Sequence, residues 1–109
     1  MTRRLHVYSE IKQGKVPATE VKKLTPAGII LTGGPNSVYA DGAPQCDPAI
    51  FELGIPVLGI CYGMQMMCHI LGGRVEACSV GEYGRIEASI FGDSTLMRGI
   101  KSNPKVLMY

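Results

Sequence analysis

The sequence carries little excess charge, because its 11 lysines and arginines nearly balance its 9 aspartates and glutamates to leave a net charge of +2. So small a charge indicates no nucleic-acid partner. No apolar run reaches the length of a membrane span, and the segment after Arg3 and Arg4 is too short and polar for a secretory signal. Charged residues make up only 18% of the 109 residues and hydrophobic residues 46%, which indicates one folded domain.

The four cysteines, at positions 46, 61, 68 and 78, contain no C-x-x-C pair, so no zinc ribbon is indicated and we expect no metal site. A secreted scaffold with four cysteines is expected to be smaller and richer in loops. We therefore expect free thiols and a cytoplasmic location. For three of the four, the simplest interpretation is a small buried apolar side chain.

Short apolar runs alternate with helical patterns along the chain, which is typical of an α/β fold with a parallel sheet and helices on both faces. Strands are predicted over residues 7–11, 28–32, 56–60, 74–77, 85–90 and 105–109. Helices are predicted over 18–24, 48–53 and 62–71, with one turn at 94–98. Ligands bind at the carboxyl ends of strands in such sheets. Two strand ends therefore matter most, the one before the long loop 33–47 and the one before Cys61.

Cys61 lies between a predicted strand and a predicted helix and is flanked by Gly59 and Gly63. The serine version of this G-x-C-x-G pattern is the nucleophile elbow, a sharp turn that holds its central residue in a strained conformation. The two glycines would supply the clearance that the turn needs. The residues alone leave open a second interpretation, in which these glycines merely allow close packing between strand and helix.

The start of the following helix would favour a negatively charged thiolate at Cys61, because unpaired N–H groups and the helix dipole converge there. The backbone N–H of Tyr62 could donate to an oxyanion formed on a substrate carbonyl. The turn at Gly33 and Gly34 is the natural source of a second donor. The three methionines of the helix, at positions 64, 66 and 67, are predicted to fill the core.

A cysteine nucleophile needs a histidine base, and the chain has only His6 and His69. His69 follows Cys61 by eight residues, about 12 Å along the same predicted helix, too far to take its proton. His6 opens a predicted strand near the N-terminus and has no motif around it. The sequence therefore contains a candidate nucleophile without a candidate base.

Several motifs in this order resemble the triad-type, or class I, glutamine amidotransferases, and in particular the branch of that family that serves GMP synthesis. They are IILTGGP at 29–35, SVY at 37–39, GICYGMQ at 59–65, LGG at 71–73 and EYGR at 82–85. The resemblance implies a flavodoxin-like, three-layer fold with a mostly parallel sheet. It implies that Cys61 attacks the side-chain amide of glutamine, that Gly34 and Tyr62 supply the oxyanion hole, and that Gln65 helps hold the substrate.

The resemblance also implies a partner, an ATP-pyrophosphatase (synthetase) domain in cis or in trans that uses the ammonia to convert xanthosine monophosphate to GMP. No cofactor is implied for residues 1–109; ATP and magnesium belong to the synthetase domain. Family members carry a first strand before Arg3, and a histidine and glutamate beyond Tyr109. We therefore expect a partial domain, incomplete at both ends, that is inactive and of marginal stability when isolated.

Three alternatives remain open at this stage. One is a non-catalytic or regulatory remnant that kept the fold and lost the base. A second is a glutaminase that serves another ammonia acceptor. A third is a small redox or chaperone-like hydrolase with the same layered fold, which the loop after Thr32 and the presence of Gln65 disfavour.

Overall fold

The computed structural model describes residues 2–77, 83–92 and 94–108, and the chain divides into two compact units, residues 1–76 and 77–109. Cys78 and Glu82, which enter the sequence predictions above, lie outside the described residues, as does Tyr109. None of the helices in these ranges is both long and apolar enough to cross a membrane.

The first unit contains two α-helices, two strands and two short 3-10 helices. In chain order these are a 3-10 helix Thr2–Leu5, α1 Ala18–Lys23, β1 Ile29–Leu31, a 3-10 helix Pro48–Glu52, β2 Val57–Gly59 and α2 Tyr62–Ile70. Apart from the first, these elements match the predicted ones, with strands shorter by one residue at each end. The helix predicted over 48–53 winds as a 3-10 helix.

The two strands of this unit form a parallel pair in which Leu31 lies opposite Gly59. The ladder continues beyond the strands, where the Ile60 N–H donates to the Leu31 carbonyl at 2.9 Å. Parallel pairing places the carboxyl ends of both strands at the same edge. This edge therefore brings the loop after β1 next to Cys61, as the sequence predicts.

A small core holds these elements together around one face of α2. Its buried members are Ala18, Val21, Val38, Cys46, Ile50, Tyr62 and Met66. Cys46 thus fits the prediction of a buried apolar thiol, and Cys46, Cys61 and Cys68 are all free cysteines. Val38 and Cys46 come from the loop between β1 and the second 3-10 helix, so that long segment contributes two residues to the core.

Asp47 joins the beginnings of two helices. One carboxylate oxygen accepts from the Ala49 N–H at 3.0 Å, which is the predicted N-cap, and the other accepts from the Ala18 N–H at 2.8 Å. These two donors, Ala18 first, lower the pKa of the Asp47 carboxyl below its ordinary value. A single side chain therefore satisfies N–H groups at the starts of α1 and of the second 3-10 helix.

The second unit contains β3 Gly84–Glu87, a 3-10 helix Thr95–Met97 and β4 Lys105–Met108. The two strands pair antiparallel, with Glu87 opposite Lys105. Along β3, half-buried and exposed residues alternate, which is the period-two pattern that the sequence shows. The ladder continues as far as a 2.9 Å hydrogen bond from the Ile90 N–H to the Ser102 carbonyl.

Two predicted strands are wrong. Residues 7–11 and 74–77 are not strands, although both alternate polar and apolar residues. Tyr8 and Ile11 are 85% and 91% exposed, and no strand lies beside them in the part of the chain that the structure describes. Alternation supplies only a preference for extended backbone, because a strand also needs a neighbour that accepts and donates its hydrogen bonds.

The α/β character and the parallel pair are confirmed. Within the described ranges, the strands form one parallel and one antiparallel pair, each of two strands. The three-layer arrangement with helices on both faces stays a prediction.

Candidate active site

Cys61 occupies a sharp turn between β2 and α2, with φ at 53° and ψ at −116°. Positive φ is uncommon for a residue with a Cβ and costs on the order of 1–3 kcal/mol, so the surrounding structure must impose it. The side chain is exposed. The turn therefore holds a thiol at the surface, at the carboxyl edge of the parallel pair.

Gly59 and Gly63 stand on either side of this turn where backbones approach closely. A Cβ built on Gly59 would lie 2.6 Å from the Met64 Cα, and one built on Gly63 would overlap the Leu31 carbonyl oxygen. Separations of this kind are too short for non-bonded atoms, so neither position accepts a larger residue without movement of the backbone. The two glycines let the first turn of α2 pack directly against β1 and β2.

The loop after β1 lies against the same turn. A Cβ built on Gly33 would lie 3.2 Å from the Cys61 Cβ and 3.7 Å from its Sγ. A Cβ built on Gly34 would lie 3.9 Å from the Tyr62 Cγ. The sequence indicated Gly34 as a partner of Cys61, but it did not show that Gly33 is in closer contact with the sulfur. The parallel register supplies that information, because Gly33 and Cys61 each lie two residues beyond the paired Leu31 and Gly59.

The N–H of Tyr62, at the first position of α2, has no acceptor among residues 2–77. The next three N–H groups, from Gly63 to Gln65, donate to the carbonyls of Ile60 and Cys61 at 3.0–3.1 Å. Neither the Tyr62 N–H nor the Gly34 N–H has an acceptor within residues 2–77. Within residues 2–77 both groups therefore remain available as donors, on residues that lie near each other at this edge of the parallel pair.

Gln65 lies one turn along α2 from Cys61 and is half-buried. Its Oε1 is buried and has no hydrogen-bond donor among the residues that the structure describes. Buried polar atoms are rarely left unpaired, so this oxygen is suited to accept a hydrogen bond from a bound ligand. Of the neighbouring methionines, Met66 is buried as predicted, but Met64 is 53% exposed, so its prediction as a core residue is wrong.

Neither of the two histidines is hydrogen-bonded to Cys61 in the part of the chain that the structure describes. His69 lies near the end of α2 and is exposed, about 12 Å from Cys61 at 1.5 Å per residue. His6 lies in a turn at a φ of 58°, after a 3-10 helix and not at the start of a strand as predicted. Neither side chain makes a hydrogen bond to Cys61 within the described residues, and the spacing along α2 puts His69 too far from the sulfur to take its proton.

The other described thiols differ from Cys61 in their surroundings. Burial raises the pKa of the Cys46 thiol, whose side chain packs in the core. Cys68 is half-buried, and its Sγ lies 3.8 Å from the Arg74 carbonyl oxygen. In the described parts of the chain, no group of three or more histidines, cysteines, aspartates or glutamates is placed to hold a metal ion. Cys61 is thus the described thiol most accessible to a substrate.

The sequence matches the family Glutamine amidotransferase class-I over residues 1–109. It is 52% identical over 111 residues to the GMP synthase [glutamine-hydrolyzing] of Bacillus licheniformis, covering 99% of this chain and 22% of that protein. The Bacillus subtilis protein of the same name gives the same values, and a putative GMP synthase [glutamine-hydrolyzing] of Halalkalibacterium halodurans is 49% identical over 106 residues, 97% of this chain and 21% of that protein.

The chain thus spans about a fifth of the length of these relatives. The match extends over the whole chain, so it includes both the loop after β1 and the turn at Cys61. The chain belongs to the class I glutamine amidotransferase family.

Proposed function

We propose that this chain hydrolyses the side-chain amide of glutamine with Cys61 as the nucleophile, as part of an enzyme that supplies ammonia for GMP synthesis. The observation that carries this proposal is the exposed Cys61 at a φ of 53°, next to two N–H groups, of Tyr62 and Gly34, that have no acceptor among residues 2–77. An exposed thiol next to available N–H donors supplies two of the parts that acyl transfer requires, the nucleophile and the oxyanion hole.

In the first step the Cys61 sulfur attacks the Cδ carbonyl carbon of glutamine and forms a tetrahedral intermediate. The negative charge on its oxygen is stabilised by the N–H groups of Tyr62 and Gly34, which are unpaired among residues 2–77. The proton from the thiol passes through a base to the leaving nitrogen. The carbon–nitrogen bond breaks, releasing ammonia and leaving a γ-glutamyl thioester on Cys61.

In the second step water attacks the thioester carbonyl, and the thiol is restored as glutamate leaves. The balance is glutamine plus water to glutamate plus ammonia. The Gln65 Oε1, buried and without a donor in the described residues, is suited to accept an N–H of the substrate and so to hold it near Cys61. In this proposal Gln65 binds the substrate, and Cys61 forms the covalent bond to it.

The base and the carboxylate that orients it come from residues outside this 109-residue sequence, in cis or in trans. This part of the proposal is supported by the positions of His6 and His69, neither of which is placed to take the thiol proton. Together with such residues, the parallel pair would form part of a larger sheet that has helices on both faces, which gives a three-layer fold.

The ammonia acceptor in this proposal is xanthosine monophosphate, activated by ATP with magnesium on a synthetase domain. Support comes from the name GMP synthase [glutamine-hydrolyzing], which the relatives at 49–52% identity carry. No residue of this chain is assigned to ATP or magnesium. A glutaminase serving another acceptor would share the chemistry at Cys61, so the acceptor is tested separately, by supplying xanthosine monophosphate and ATP and measuring GMP.

The nucleophile is tested by Cys61→Ala and Cys68→Ala in the full polypeptide in which this chain occurs. We expect Cys61→Ala to lower the rate of glutamate release by about 10³-fold or more, because the covalent route is lost. Cys68→Ala serves as the matched control, since it removes a half-buried thiol of the same helix, and its rate is expected to stay near the wild-type value.

Synthesis driven by added ammonium salts should survive Cys61→Ala, because it bypasses glutamine. A glutamine-mimicking electrophile should modify Cys61 before Cys46, which is buried. Glutamate release at the wild-type rate by Cys61→Ala would refute the proposal, and equal labelling of the two cysteines would favour a non-catalytic remnant.

A further inference from the structure

The side chain of Tyr62 is bonded to one end of the loop that follows β1 and lies near its other end. Its hydroxyl donates a hydrogen bond to the Pro44 carbonyl oxygen near the end of that loop. At the beginning of the loop, a Cβ built on Gly34 would lie 3.9 Å from the Tyr62 Cγ. The phenol ring is 7% exposed and is one of the buried side chains of the core. The loop is therefore held against the first turn of α2 by the residue that follows Cys61.

A second contact holds the same loop one turn further along α2. The Cys46 N–H donates to the Met66 Sδ at 3.3 Å, and both residues are buried. Residues four apart lie on the same face of a helix, so Tyr62 and Met66 form a pair of anchors. Between the two ends of the loop, Val38 is buried in the same core.

We propose that the Tyr62 side chain is a positioning residue, which fixes the Gly34 N–H relative to the Cys61 sulfur by anchoring loop 33–47 on α2. The inference rests on the proposed function, because it concerns the oxyanion hole of that reaction. Loop 33–47 contains no helix or strand of its own. Donors in an oxyanion hole act only when they are held in place before the charge develops, so a loop without regular structure needs such an anchor.

The two roles of Tyr62 can be separated experimentally. Its backbone N–H is a donor in the proposed mechanism, and this group is the same in every substitution except proline. Tyr62→Phe keeps the ring and the N–H and removes only the hydroxyl that reaches Pro44. Pro44 is exposed, so water can satisfy its carbonyl oxygen in the variant. The change therefore loosens the loop without adding an unpaired buried group.

The matched control is Tyr39→Phe, which removes a hydroxyl from the same loop. Tyr39 is 54% exposed, and its hydroxyl makes no hydrogen bond within the described residues. In the full polypeptide, we expect Tyr62→Phe to lower kcat for glutamine about tenfold and to change KM less than about twofold, because the negative charge on the oxygen develops only after glutamine has bound. Tyr39→Phe is expected to leave both constants unchanged.

A further measurement separates the loop from the nucleophile. Alkylation of Cys61 by iodoacetamide forms no oxyanion, so its rate should be the same in Tyr62→Phe and in the wild type. A tenfold loss of kcat with unchanged alkylation is the expected result. A fall of both rates together, or no fall in kcat, would overturn the proposal. A wild-type rate in Cys61→Ala would instead overturn the proposed function.

Met66→Leu provides a second route to the same test if Tyr62→Phe does not accumulate as folded protein. The substitution keeps the volume but removes the sulfur that accepts from the Cys46 N–H. We expect kcat to fall in the same direction, again with unchanged alkylation of Cys61. An unchanged kcat in Met66→Leu, with the protein folded, would contradict an anchoring role for this face of α2.

Discussion

The two strand pairs of this chain differ in backbone conformation and in packing. The parallel pair β1–β2 ends in a turn where Cys61 has positive φ and where Gly63 leaves no space for a Cβ. The antiparallel pair β3–β4 has an alternating pattern of half-buried and exposed residues along β3. All the buried core residues that the structure describes belong to the first unit. Of the two pairs, the parallel one thus ends in a close backbone contact and a non-glycine residue with positive φ at the candidate site, whereas the antiparallel one is a half-exposed ribbon.

The difference indicates how a parallel pair assembles a site. Its strands are joined by a long connection, so the residues that follow β1 and β2 are distant in sequence but meet at one edge. At that edge the loop with Gly33 and Gly34 lies against Cys61 and Tyr62. In an antiparallel pair the carboxyl ends of the two strands point to opposite edges, and no such meeting occurs.

The largest effect is expected from Gly63→Ala, which tests the close contact between α2 and β1. The added methyl group would overlap the Leu31 carbonyl oxygen, so the helix must move away from the strand. We expect a loss of about 3 kcal/mol or more in the free energy of unfolding, measured by urea denaturation of the full polypeptide.

Gly14→Ala is the control for that experiment. Nothing lies within 4 Å of a Cβ built on Gly14, and its φ is not in the left-handed region. We expect its stability to remain within about 0.5 kcal/mol of the wild type. Equal effects of the two substitutions would show that the close approach at Gly63 contributes nothing to stability.

An intermediate effect is expected from a comparison of Cys61→Gly with Cys61→Ala. Both remove an exposed thiol, but only glycine adopts a φ of 53° without strain. We therefore expect Cys61→Gly to be more stable than Cys61→Ala by about 1 kcal/mol, although both lose glutaminase activity. Thermal unfolding of the two variants side by side measures the difference, and an alanine variant as stable as the glycine variant would argue against strain at the turn.

The smallest effect is expected from Glu87→Lys in the second strand pair. Glu87 lies opposite Lys105 and is exposed, so the substitution places two positive charges across the ladder. We expect a loss of about 0.5 kcal/mol that shrinks as salt is added, measured by hydrogen exchange of the β3 and β4 amides. Glu87→Gln, which removes the charge without creating a like pair, should lose less. A salt-independent loss would point to packing instead of charge.

The elements that the sequence predicts well are those with strong local signals. The N-cap at Asp47 and the glycine at position 54 bracket the second 3-10 helix, and the apolar runs before Gly33 and Cys61 become the paired strands. The strand predicted over 7–11 has only alternation in its favour, and no neighbour pairs with it in the described part of the chain. Met64 is exposed because it lies on the face of α2 opposite to the core, which a run of apolar letters does not reveal.

For the candidate site, the flanking glycines and the position before a helix indicate Cys61 as a candidate nucleophile, but the residues alone leave open a packing role for the glycines. The sequence does not predict that Gly33 lies close to Cys61 or that the Tyr62 hydroxyl bonds to Pro44. Both contacts depend on which residues of a long loop pack against α2.

Where the chain turns and which residue lies at the turn follow from local patterns, because capping residues, glycines and apolar runs act over a few neighbouring residues. Which segments meet at that turn depends on the packing of the folded chain. Register, the burial of Tyr62 and Met66, and the reach of a hydroxyl to Pro44 are set by contacts between distant parts of the chain. Such contacts join residues that are far apart in the sequence and form only when the chain folds as a whole. No local sequence pattern therefore specifies them.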